Sequence, residues 1–161
     1  MIWTTLEPIV NWLGSTALGQ WLGQSTDRIA WLFVMHLFGL TLLMGTTILL
    51  SIRLLGFGFR SQRLAQLTKE IAFLRAVGLM LMLLSGTLIF TGGAASYFQG
   101  AWFQRKMVLL AITLLFNFTL FRKVTMAEEG RYSPLMRRIT GVLALLLWFS
   151  VGVAGRAIAF F

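Results

Sequence analysis

The sequence predicts an all-α membrane protein, a four-transmembrane-helix bundle preceded by an N-terminal amphipathic interfacial arm. Of its 161 residues, 58% are hydrophobic and only 12% charged, whereas a soluble domain is about half apolar and about a quarter charged. The apolar residues gather into four runs of spanning length, and most of the cations fall in the short segments between them, as the positive-inside rule leads one to expect. The net charge of +9 therefore reads as topology and not as a nucleic-acid footprint. A single domain, residues 1–161, is expected, with little mass left outside the membrane for an enzyme.

The first span is expected at about 29–52. Its run from Ile29 to Leu50 has His36 as the one titratable group, bounded by Asp27, Arg28 and Arg53. The second is expected at about 72–93, with Arg75 snorkelling to the interface and Gly92 and Gly93 at its end. The third covers about 102–122, with Arg105 and Lys106 in its first turns, and the fourth about 138–159, with Arg156 near its end. Arg53, Arg60, Arg63, Lys69 and Arg75 lie around the first-to-second connection. Arg122, Lys123, Arg131, Arg137 and Arg138 lie around the third-to-fourth. Both should face the cytoplasm, so both termini, Phe161 included, are expected on the outer, periplasmic side of a bacterial inner membrane.

Residues 1–27 do not read as a signal peptide, since they lack a basic start and a packed apolar stretch. Ile2, Leu6, Ile9, Val10 and Leu13 recur at helical spacing, and Leu18, Trp21 and Leu22 form a second apolar face out of phase with the first. A bend is expected between Gly14 and Gly19. The arm either lies on the outer membrane surface, with Trp3, Trp12 and Trp21 at the headgroups, or docks on the bundle or a neighbouring subunit. Pro8 suits a first helical turn only if that helix starts late. Between the first two spans, residues 55–72 read as a short basic amphipathic helix with a preference for anionic lipid. The stretch from Gly93 to Trp102 reads as a loop.

An ionisable group that cannot escape from the membrane is a candidate for function. His36 lies roughly 12 Å inside the outer boundary at 1.5 Å per helical residue, too deep to snorkel. Lys106 and Arg156 fall in the same outer half, joined by Thr91, Tyr97 and Gln99. His36, Lys106, Arg156 and Tyr97 are the candidate cofactor-binding residues, suited to haem propionates, a quinone carbonyl or a carboxylated ligand. The competing expectation is that Lys106 and Arg156 are interfacial anchors and His36 bonds a neighbouring helix. With one histidine in the chain, a bis-histidine haem within one protomer is excluded. Met44, Met80 or Met82 remain as a second ligand, or Met35, His36, Met80 and Met82 as a thioether copper set. Ser85, Thr87 and Asn117 are expected to hydrogen-bond across helices, and Gly39, Gly45, Gly78, Gly86, Gly152 and Gly155 to let helices approach closely. The absence of cysteine excludes disulfides and thiolate metal sites. The acids Glu7, Asp27, Glu70, Glu128 and Glu129 fall outside the apolar runs, which disfavours a cation-coupled small transporter.

Three segments carry a resemblance. They are HLFGLTLLMGTTILLSIRLLGF from His36 to Phe57, SGTLIFTGGAASYFQGAWFQRKMVLLAITLLFNF with its aromatic connection and Asn117, and the ending LLLWFSVGVAGRAIAFF with Trp148, Gly155 and Arg156. They resemble a family of small bacterial inner-membrane proteins, a domain of unknown function, similar in outline to copper-resistance membrane proteins and b-type cytochrome bundles. The missing second histidine departs from the cytochrome pattern. The resemblance implies four helices and the inner membrane, and it supplies no activity. The expected function is an accessory or anchoring subunit of a larger membrane complex, with lipid and other membrane subunits or further copies of the chain as partners and no nucleic acid. The alternatives are a haem- or quinone-binding redox protein built around His36 and a small transporter or metal-handling protein.

Overall fold

The computed structural model describes residues 2–58, 62–128, 130–158 and 160. Arg60, Glu129, the expected helix end at Ala159, the C-terminal Phe161 and the side chain of Ile2 lie outside the described residues. Among the described residues the chain is helical with no strand. The arm is α1 (Ile2–Ser15) and α2 (Ala17–Gly23), and the first span is α3 (Thr26–Leu55). A clip, α4 (Leu64–Glu70), leads to the second span, α5 (Ala72–Gly92). Short α6 (Ala94–Gln99) precedes the third span, which is composite: α7 (Ala101–Phe116), a π-helical turn (Asn117–Phe121) and α8 (Arg122–Thr125). The fourth span is α9 (Pro134–Ala157). The four long helices are each long and apolar enough to cross a membrane, and the chain is a multi-pass membrane protein. Large apolar side chains such as Trp31, Phe73 and Leu115 are about 70% exposed or more, which suits a surface solvated by lipid.

Helix packing follows from spacing. Buried Gly78, Met82, Ser85 and Ile89 in α5, and Gly141, Ala144, Trp148 and Val151 in α9, recur at alternating three- and four-residue steps, which keeps one stripe turned inward. α3 and α5 make the closest pair. A Cβ on Gly39 would lie 2.8 Å from the Met82 nitrogen, and one on Gly78 would lie 2.9 Å from the Gly39 oxygen. Two glycines facing each other thus let the backbones touch. α3 also packs on α9, and α9 on α7. α5 and α7 barely approach through their backbones. Side chains bridge them instead, with Phe90 stacked on Phe103 at 4.9 Å and Arg75 bonded to Asn117. At mid-depth, Trp148 fills the bundle against Leu43 and Met82.

The π-helical turn has a readable cause. Thr113, Asn117, Phe121 and Thr125 are all buried and spaced by four. Three such steps along an α-helix of 3.6 residues per turn would walk the stripe by about 120°. A π turn absorbs one residue and cuts the drift to about 20°, so all four stay on the core.

The two ends differ. At one, the arm docks on its own bundle: Val10 packs on Ala94 and Phe98, Trp3 meets Phe98 edge to face at 5.6 Å, and Leu22 joins Leu32 and Ile89. The bend falls at Thr16, whose hydroxyl caps α2 by accepting from the Gly19 N–H at 3.1 Å. Ile9, Trp12, Leu18 and Trp21 stay exposed. Three expectations change here. Pro8 sits inside α1, which starts early and gives up one main-chain hydrogen bond. The stretch after Gly93 is the helix α6 and not a loop, because Ala94 and Phe98, four apart, bury one face against α1. At the opposite, basic end, the amphipathic helix is shorter than expected and turns its apolar face into protein. Leu64 and Leu67 of α4 pack on Phe121 and Val124, and Thr68 donates to the Thr125 carbonyl at 3.3 Å.

Candidate functional site

In the arm-capped half, α3 and α5 place His36 and Ser85 face to face at 3.0 Å, Nδ1 to Oγ. The Ser85 hydroxyl donates its proton to the Leu81 carbonyl one turn back, so it accepts from the ring. With the Ser85 hydroxyl as acceptor, a neutral His36 carries its proton on Nδ1 and leaves the lone pair on Nε2. Gly86 makes the room: a Cβ there would lie 3.1 Å from Cε1 of the ring.

Lys106 comes in from α7. Its side chain lies over Gly155 of α9, where a Cβ would be 3.5 Å from both Cε and Nζ, and it interacts electrostatically with His36. Gly86 thus seats the imidazole and Gly155 the ammonium, each against a helix other than its own. The other cations of this end behave differently. Arg28 stacks on Trp21 at 4.1 Å and donates to its carbonyl, Arg105 lies over Trp102 at 4.7 Å, and Arg156 lies over Phe160 at 4.7 Å. These are surface cation–π pairs of the kind that anchor at an interface.

Of the four residues singled out from the sequence, His36 and Lys106 turn onto neighbouring helices in the arm-capped half, against Gly86 and Gly155. Arg156 is exposed on its own aromatic ring, although it follows Gly155 in sequence. Tyr97 folds back over Gly93 and packs with Leu22, Leu32 and Ile89. Thr91 is buried, bonds to the Thr87 carbonyl, and lines a cavity of about 360 Å³ between α1 and the α5–α6 corner, together with Val10, Asn11 and Gly14. This cavity lies away from His36, Lys106 and Arg156. The thioether set is dispersed: Met35 and Met80 lie on exposed faces, while Met82 is in the core. Among the described residues no group of three histidine or acidic side chains could hold a metal ion.

The expected cross-helix bond of Asn117 is made, to a partner the sequence did not name. Arg75 does not snorkel outward: it donates to Oδ1 of the buried Asn117 and lies over the Phe121 ring at 4.7 Å. The signal was present in Asn117 as a lone amide in an apolar run, but its partner lies 42 positions away.

A family model matches residues 9–161, which is the arm from Ile9 onward and all four spans. The chain belongs to the family of unknown function DUF6644. The match bears out the expected membership of a domain family without an assigned role. No curated protein and no solved structure matches the chain, so the outline likeness to copper-resistance proteins and b-type cytochromes has no match behind it. In this DUF6644 member the basic side chains turned into the arm-capped half, among the described residues, are His36 on Ser85 and Lys106 on Gly155.

Proposed function

We propose that this chain is a membrane-embedded binding protein for a lipid-soluble quinone, held in the arm-capped half between His36 and Lys106. The observation that carries the reading is that both turn inward in the same half of the bundle, His36 onto Ser85 and Gly86 and Lys106 onto Gly155. An ammonium and an imidazole inside the membrane are costly unless something uses them. Lys106 offers donors suited to a carbonyl oxygen. His36, fixed by Ser85, offers the Nε2 lone pair suited to a quinol hydroxyl. One donor and one acceptor thus match the two redox forms of the same ring. The ammonium beside the imidazole favours a carbonyl over a cationic metal centre, which ranks quinone ahead of haem. In this reading the positive-inside rule places the basic end in the cytoplasm and the arm on the outer face of an inner membrane.

The accessory-subunit reading drew on the arm as a cover for a partner. The docked contacts of Val10, Leu22 and Trp3 support the arm as a cap on its own bundle. Exposed Trp12 and Trp21 suit headgroups equally well.

The test is titration of the detergent-purified protein with a short-chain benzoquinone, followed by quenching of tryptophan fluorescence. Saturable binding is expected, weakened about tenfold or more in His36→Ala and in Lys106→Met, the scale of one charge-assisted hydrogen bond. Quenching equal in wild type and both variants would overturn the reading. A reduced-minus-oxidised haem band scaling with the chain and lost in His36→Ala would replace quinone by haem.

A further inference from the structure

The basic end carries a second built feature, independent of the His36 site. Arg75 lies in the first turn of α5, about 5 Å along the helix from its start. Its guanidinium is held twice, by Oδ1 of Asn117 and by the ring of Phe121 at 4.7 Å. Asn117 is only 7% exposed and opens the π-helical turn, so the fork is fixed in place and does not swing on a free stem. One acceptor does not exhaust a guanidinium, whose remaining N–H groups suit a bidentate anion.

The surroundings say which anion. Arg75 bridges the crevice where α5 and α7 barely approach. The residues next in sequence to its two attachment points, Leu74 on α5 and Phe118 in the π turn, are large, apolar and exposed. Beyond them, α4 packs on α5 and α8, which puts exposed Lys69 at the same end as exposed Arg122 and Lys123. A cationic head between apolar walls on a lipid-facing surface matches an amphiphile with an anionic head. We infer that the Arg75–Asn117 fork and the α5–α7 crevice form a binding site for one anionic phospholipid, its phosphate on Arg75 and its acyl chains along Leu74 and Phe118. A fixed fork bound to phosphate would tie α5 to the third span, where the α5 and α7 backbones barely approach.

The experiment uses the full chain, delipidated in neutral detergent. Phosphatidylglycerol, phosphatidylcholine of the same chains, and inorganic phosphate are added in turn. Retained lipid is counted by native mass spectrometry, and the thermal midpoint is followed. One phosphatidylglycerol per chain and a raised midpoint are expected, with neither phosphatidylcholine nor phosphate reproducing them. Arg75→Gln should weaken retention about tenfold, and Arg75→Lys, which keeps the charge but loses the fork, should fall between. The double variant Arg122→Gln/Lys123→Gln should keep the bound lipid. If Arg75→Gln fails to fold, Arg75→Lys decides alone, and wild-type retention in it overturns the inference. Retention lost equally in the double variant would mean diffuse attraction, and phosphate acting as well as lipid would mean a headgroup site without chains. Either result overturns the site as stated.

Discussion

Ser85 shows how much one side chain settles. Its hydroxyl gives its proton to Leu81 and receives that of His36, so it selects the imidazole tautomer. Ser85→Ala should leave the fold intact and weaken benzoquinone binding severalfold, read by the same fluorescence titration, because the ring is then free to present either nitrogen. Gly86 acts by volume. A Cβ there already meets Cε1 at 3.1 Å, so Gly86→Val should push the ring off Ser85 and abolish binding at unchanged helix content by circular dichroism. His36 was visible in the sequence because a lone titratable group in an apolar run stands out against its neighbours. That Ser85 bonds across helices and Gly86 allows close approach was legible; that His36 is the partner of both, and that Arg75 turns inward, was not, since each depends on which residue of another helix faces it.

Among the helices, glycine position separates contact from composition. Gly39 and Gly45 share α3 and look alike in sequence, yet a Cβ on Gly39 would press on α5 backbone at 2.8 Å and one on Gly45 would meet nothing within 4 Å. Gly39→Ala should therefore lower the thermal midpoint in detergent, at a cost of about 1–3 kcal/mol. Gly45→Ala should be neutral or stabilising by up to about 1 kcal/mol. The π-helical turn makes a sharper prediction. Deleting exposed Phe118 removes the residue the turn absorbs and returns the third span to a plain α-helix, with Phe121, Val124 and Thr125 still on the core. Deleting exposed Ala111 from regular α7 instead rotates Lys106 by about 100° relative to Thr113. The first deletion should purify as a folded protein with a midpoint near wild type, and the second should aggregate or lose quinone binding. The four-residue spacing of Thr113, Asn117, Phe121 and Thr125 was legible all along; that all four are buried was not, because Thr119 and Thr125 look equally polar in sequence.

At the scale of the whole molecule, the proposed orientation puts the arm end outside and the basic end in the cytoplasm. The chain has no cysteine, so an introduced one is a clean reporter. Ser96→Cys at the arm end should react with an impermeant maleimide added to intact spheroplasts, and Glu128→Cys at the basic end should react only after the membrane is opened. The reverse pattern would invert the orientation and put the His36 site in the cytoplasmic half.

Lipid solvation acts on each segment separately, and so the sequence alone determined the four spans, the basic end and the out-of-phase arm: every span has to be long and apolar enough in itself. The tertiary structure decided the fate of the cations. Arg28, Arg105 and Arg156 each found an aromatic ring within seven residues along the chain and stayed at the surface, whereas Lys106 found Gly155 and Arg75 found Asn117, both on other helices. A charge turns inward only where a distant helix leaves space or offers an acceptor, and that depends on the register between spans, which no single segment contains.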